Sequence, residues 1–165
     1  MFGYILYFKV VQKPIKMKKF LSIISISILL LGTSSCLKDV DSCTPKSVQT
    51  EASAIAAYAT ANGINGTTHP SGIYYEIVNP GSGPTPTISS TVTANYVGKF
   101  ITNNSTFDQT TPATGPAAFP LNGVIAGWQI ALPLIQKGGT IKFIIPSSLA
   151  YGCTGFRTIG PDEIL

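Results

Sequence analysis

Three cysteines, a single histidine and seven acidic residues are the whole stock of groups from which conventional catalysis could be built in this chain of 165 residues. A serine-type hydrolase needs a base beside its nucleophile. The only histidine, His69, lies in the "TTHPSG" stretch and reads as an exposed turn residue. A metal centre needs several His, Cys, Asp or Glu ligands at suitable spacing, and no such cluster occurs. "GPTPTIS" and "GCTG" carry glycines without a phosphate-loop lysine, so nucleotide binding has no support. Neither a metal nor an organic cofactor is expected.

What remains is apolar. The stretch "VIAGWQIALPLI", Val124 to Ile135, holds the only tryptophan and no charged residue. One reaction needs no nucleophile, metal or general base. Rotation about an X–Pro bond is slowed by amide resonance, with a barrier of roughly 18–20 kcal/mol. The twisted transition state has a less polar carbonyl than the planar imide. A dry pocket shaped for the twisted form therefore lowers the barrier selectively.

The elements that must position such a pocket follow from periodicity. "GIYYEIV" alternates Ile73, Tyr75 and Ile77 against Tyr74, Glu76 and Val78. "TVTANYVGKF" sets Val92, Ala94, Tyr96 and Phe100 on one face, and "TIKFIIP" places Ile141, Phe143 and Ile145 on one side. "NPGSGPTPTISS" is a loop by composition. A short helix starts near Gly127 and is limited by Pro133. An earlier, alanine-rich helix occupies residues 47–63, with Ile55, Tyr58, Ala59 and Asn62 on one stripe and Gly63 as its stop. Packing of this helix against its own domain is preferred to a dimerisation arm. The expected class is α+β, a curved antiparallel sheet wrapped over one short central helix and preceded by a separate N-terminal helix.

Charge and targeting signals separate the two ends. Lys9, Lys13, Lys16, Lys18 and Lys19 carry more than the whole formal charge of +4, since from Cys36 onward six bases face seven acids. Lys99, Lys137, Lys142 and Arg157 are too sparse for a nucleic-acid surface. "MKKFLSIISISILLLGTSSC" has the basic start, short apolar run and small residues of a secretory signal, with Met17 as the expected initiator and residues 1–35 removed. It resembles a bacterial lipoprotein signal, which implies lipid attachment at Cys36, a tether over residues 36–46 and a membrane partner. Leu37 favours outer-membrane sorting. In an exported protein Cys43 and Cys153 can pair, but the position of Cys43 in a tether favours two free thiols.

"VTANYVGKF", "FDQT", "FPLNGVIAGWQIALPLIQKGG" and "IIPSSLAYGCTG", in this order and spacing, resemble the FKBP-type peptidyl-prolyl isomerases over residues 72–165. The leading helix and lipoprotein signal are similar to Bacteroidetes members. The resemblance implies catalytic roles for Tyr96, Phe107, Asp108, Ile125 and Tyr151, with the Ile125 N–H and the Tyr151 hydroxyl holding substrate carbonyls. Trp128 forms the pocket floor, and Val124, Ala150, Phe156 and Ile159 complete the substrate-binding surface. Proline-containing unfolded or partly folded polypeptides are the implied partners, and macrolide inhibitors are candidate ligands. Three departures modify this. Ala117 stands where an aromatic wall residue is common, and Gly160 replaces a proline. The family also continues into a final strand, so the end at Leu165 predicts a truncated domain. A non-catalytic, chaperone-like module holding proline segments is the alternative, as is an inactive envelope domain.

Overall fold

The computed structural model describes residues 43–165. The signal over residues 1–35, the expected start at Met17, the lipidation site Cys36 and the first part of the tether lie outside the described residues.

Helix α1 spans Val48–Ala61. Its sequence is rich in alanine, which loses no side-chain entropy on helix formation. It ends where Asn62 and Gly63 leave the helical region, with Gly63 at φ +62°. The Gly63 N–H donates to the Thr60 carbonyl at 3.3 Å and the Ile64 N–H to the Ala59 carbonyl at 2.9 Å. That bond pair is a Schellman stop, which needs a left-handed residue and explains the glycine.

Seven short strands follow, all paired antiparallel. β1 (Thr67–Thr68), β2 (Tyr74–Asn79) and β7 (Thr140–Ile144) form one sheet in the order β1-β2-β7. β3 (Thr91–Ala94) pairs with β6 (Ala117–Pro120), and β4 (Val97–Lys99) with β5 (Thr106–Gln109). The expected α+β class with antiparallel pairing holds, the pairing being divided among three small sheets. Tyr96, where the alternating run breaks between β3 and β4, bonds neither neighbour. Its N–H donates to Thr110 Oγ1 and its carbonyl accepts from the Thr110 N–H, each at 3.0 Å. The chain changes partner there from β6 to β5.

Helix α2 (Ala126–Ala131) is one and a half turns long and tightens into a 3-10 turn, Leu132–Leu134, around Pro133. Among the described residues no helix is long and apolar enough to cross a membrane.

The end of β7 divides two hydrophobic clusters. Ile144 packs with Ile55 and Ala59 of α1 and with Ile164. The next residue, Ile145, faces the other way and packs with Ile159 and Leu165, with Phe107, Ile125, Trp128, Ala150 and Tyr151 against it. Successive side chains on extended backbone point to opposite faces, so two adjacent isoleucines serve two cores. Gly127 is required beneath α2, since a Cβ there would meet Ile145 Cγ2 at 2.4 Å.

Two expectations are corrected. Cys43 and Cys153 form a disulfide with a Cα–Cα distance of 5.5 Å, inside the range a bridge needs. The preference for free thiols failed because residues just before α1 run back along the last loop, where Lys46 also meets Asp162 at 3.6 Å. His69 is half-buried rather than exposed. Its Nδ1 accepts from the Ser71 N–H at 3.1 Å and lies 2.9 Å from Ser71 Oγ, with its ring edge-on to Tyr75.

Candidate functional site

Trp128 is carried on the first turn of α2, at the centre of an aromatic nest. The rings of Tyr96, Phe119 and Phe143 meet it at centroid distances of 5.1, 5.2 and 6.2 Å and interplanar angles of 84°, 67° and 86°. Such edge-to-face contacts set the electropositive rim of one ring against the electron-rich face of another. They fix the orientation of the indole without sealing it, and Trp128 keeps partial exposure.

β5 supplies two neighbours with different jobs. Phe107 turns inward and Asp108 outward, as strand alternation requires. The Phe107 ring lies over Gly98 on β4, so close that a Cβ there would come within 2.6 Å of Cζ. It also meets Phe100 at 5.1 Å. Asp108 accepts a 2.5 Å hydrogen bond from the Tyr96 hydroxyl at Oδ2. Burial, that bond, and the charge of Asp108 together push the Tyr96 phenol up from 10.0 to about 12, with a further contribution from Tyr151. Burial and then the Asp108 charge raise the Tyr151 phenol as well, against an opposing pull from Arg157. Both phenols therefore remain neutral hydrogen-bond donors at physiological pH.

Ile125 is the N-cap of α2, with extended backbone at φ −59° and ψ 152°. An N-cap N–H lies outside the helix's own bond ladder and stays available to a carbonyl from outside. The turn before it is held by Gln129 Nε2, which donates to the Val124 carbonyl at 2.7 Å. On the opposite side, Tyr151 stacks flat on Phe156 at 5.1 Å and 9°, with the Arg157 guanidinium over the Phe156 ring. Phe156 is 48% exposed, whereas Ile159 is 7% exposed and sits in the core beside Ile145.

The structure thus gathers Tyr96, Phe107, Ile125, Trp128, Ala150 and Tyr151 around one cluster, with Asp108 tied in through Tyr96. Val124 lies at its edge, Phe156 on its outer rim and Ile159 beneath it. A cleft of about 670 Å³ opens beside Tyr96, between Val97, Pro112, Pro116 and Ile141. Sequence reasoning missed Phe119 and Phe143 as partners of Trp128. Phe119 lies on the same face of β6 as Ala117, two residues away, and supplies an aromatic ring that Ala117 lacks. The alternation of "AAFP" was the available signal. Among the described residues no group of acids, histidines and cysteines could hold a metal ion.

The described residues thus form an α+β domain whose candidate site is an aromatic nest bordered by neutral hydroxyl and amide donors. The match is specific: residues 83–165 fit the model of the FKBP-type peptidyl-prolyl cis-trans isomerases, and the chain belongs to that family. It is 42% identical over 98 residues to the FKBP-type peptidyl-prolyl cis-trans isomerase FkpA of Escherichia coli K12, covering 59% of this chain and 36% of that protein. It is likewise 42% identical over 97 residues to the outer membrane protein MIP of Legionella longbeachae, covering 58% of this chain and 41% of that protein. The crystal structure of FkpA from Escherichia coli superposes with a TM-score of 0.60 at 35% identity, over 71% of this chain and 57% of that one. The chain spans about two fifths of the length of these curated relatives.

Proposed function

We propose that the protein is a peptidyl-prolyl cis-trans isomerase acting on proline-containing segments of unfolded or partly folded exported polypeptides. The observation that carries this reading is the aromatic nest around Trp128, bordered by neutral donors and by the Asp108 carboxylate. A proline ring resting on the indole places the X–Pro bond between Phe107 and Tyr151. The Ile125 N–H and the Tyr151 hydroxyl hold the flanking carbonyls, which leaves the imide free to rotate. Apolar walls favour the less polar twisted imide over the planar one, so the same contacts bind the transition state more tightly than the ground state. Tyr96 orients Asp108 at the rim, where its charge faces the imide carbonyl as that bond loses polarity.

The name of the Legionella relative supports a place in the cell envelope, and the signal layout supports a lipid anchor at Cys36 on the outer membrane. Val124, Ala150 and Phe156 form the outer surface that meets residues next to the proline, with Ile159 supporting them from below. The site's width near Ala117 sets how well it holds macrolide inhibitors. Addition of the full chain at micromolar concentration to a proline-containing peptide is expected to shorten cis–trans exchange well below the uncatalysed time of about tens to hundreds of seconds. Exchange at the uncatalysed rate would remove the isomerase assignment.

A further inference from the structure

Glu51 occupies a position that helical periodicity reserves for an apolar residue. It lies one turn before Ile55 and two before Ala59, on the buried face of α1, and is itself 4% exposed. A carboxylate taken out of water is costly unless its oxygens are hydrogen-bonded. Both are: Oε2 accepts the Ser147 N–H at 2.7 Å and Oε1 accepts the Ser147 hydroxyl at 2.6 Å. Ser147 is fully buried and starts the 3-10 turn Ser147–Leu149. Tyr151 follows four residues later.

Two further ties join the same stretches of chain. Cys43 is bonded to Cys153, two residues beyond Tyr151. Lys46 pairs with Asp162, whose N–H donates to the Gly152 carbonyl at 2.8 Å. Tyr151 is therefore held between a buried carboxylate on one side and a disulfide on the other. The far end of α1 reaches the other wall of the site. The Tyr58 hydroxyl donates to Asn104 Oδ1, and Asn104 Nδ2 donates to Asn62 Oδ1 at 3.1 Å, three residues before Phe107. All the anchors on this segment lie before residue 83, where the family match begins.

Taking the isomerase reading as its basis, we infer that Cys43–Asn62 is a brace that sets the distance between the Tyr151 and Phe107 walls, with Glu51 as a positioning residue and the Cys43–Cys153 bond as its covalent lock. Leucine at position 51 would bury apolar surface without desolvating a charge, so filling the core does not account for a carboxylate there. Fixing the direction of the Ser147 turn does.

The test uses the full chain in four forms: oxidised, reduced with dithiothreitol, Glu51→Ala and Glu51→Gln. The reagent's thiolate attacks one sulfur of the bridge to give a mixed disulfide. Its second thiol then displaces that cysteine, leaving two cysteine thiols and a cyclic reagent disulfide. Reduction and Glu51→Ala are each expected to raise KM for a proline peptide by about threefold to tenfold while kcat stays within about twofold, the pattern of weakened substrate holding. Glu51→Gln keeps one acceptor for Ser147 and should fall between. The Tyr151 and Phe156 ring resonances should shift, and those of Phe119 on β6 should not, a difference that a general loss of stability does not produce. Unchanged KM and unchanged Tyr151 resonances in the reduced protein and Glu51→Gln overturn the brace, even if Glu51→Ala fails to fold. If the oxidised protein shows no turnover, the isomerase reading falls, and the ring resonances alone decide the brace.

Discussion

The two sides of β7 are built from the same strand and do different work. On the Ile144 side, aliphatic residues of α1 and the C-terminal segment close against one another, and Ile55, Ala59 and Ile144 are each no more than 3% exposed. On the Ile145 side, buried Ile159 and Leu165 are bordered by partly buried residues that include the rings of Phe100, Phe107, Trp128, Phe143 and Tyr151. Branched aliphatic groups such as Ile55 and Ile144 interdigitate closely and leave little of themselves exposed. Flat rings meeting edge-on leave faces uncovered, and those faces are what a proline ring can rest against. The closed side is stable because it is finished, and the open side can bind because it is not.

Substitutions can break that division or sharpen it. The largest effect is expected from Trp128→Ala, which removes the ring that three others lean on. It should cost about 3 kcal/mol or more of stability, measured by denaturant unfolding, and abolish measurable turnover. Gly98→Ala separates binding from stability, because the added methyl displaces the Phe107 ring while most of the core stays in place. A loss of about 1 kcal/mol with a disproportionate fall in kcat/KM is expected, checked by the same unfolding curve and a peptide assay. The smallest effect belongs to the closed side: Ile144→Val should cost about 1 kcal/mol and leave kcat/KM unchanged. An equal fall in activity from Ile144→Val and Gly98→Ala would mean that the two faces are not functionally distinct.

The same contrast explains what could be read in the sequence. Alternation in "GIYYEIV" and "TIKFIIP" located β2 and β7, and Gly63 and Pro133 marked where the helices end, because one buried face or one local constraint dominates each. β5 and β6 escaped notice: "TFDQ" and "AAFP" are four residues long, and their pairing is set by strands distant in sequence. The break at Asn95–Tyr96 was invisible because inward and outward residues keep alternating through it. The residues proposed for the site came from the family resemblance, whereas Phe119 and Phe143 gain their place beside Trp128 only through the folded arrangement. Glu51 was hidden for a different reason. A charged residue on a helical stripe reads as solvent-facing until Ser147, 96 residues away, is brought against it. The disulfide likewise depends on a return of the chain across 110 residues.

The central claim is that the site turns over substrate without a titrating catalytic group. A pH profile of kcat/KM on a proline peptide tests it most directly, with the folded fraction followed at each point. Folding raises the Tyr96 phenol above its ordinary value of 10.0, so the stability it contributes is fully present below pH 10 and is lost as pH rises towards about 12. The rate should therefore be flat between about pH 6 and pH 9 and fall only in the alkaline range, together with the folded state. A bell-shaped or sigmoidal profile with a midpoint inside the flat range, in protein that remains folded, would contradict the account.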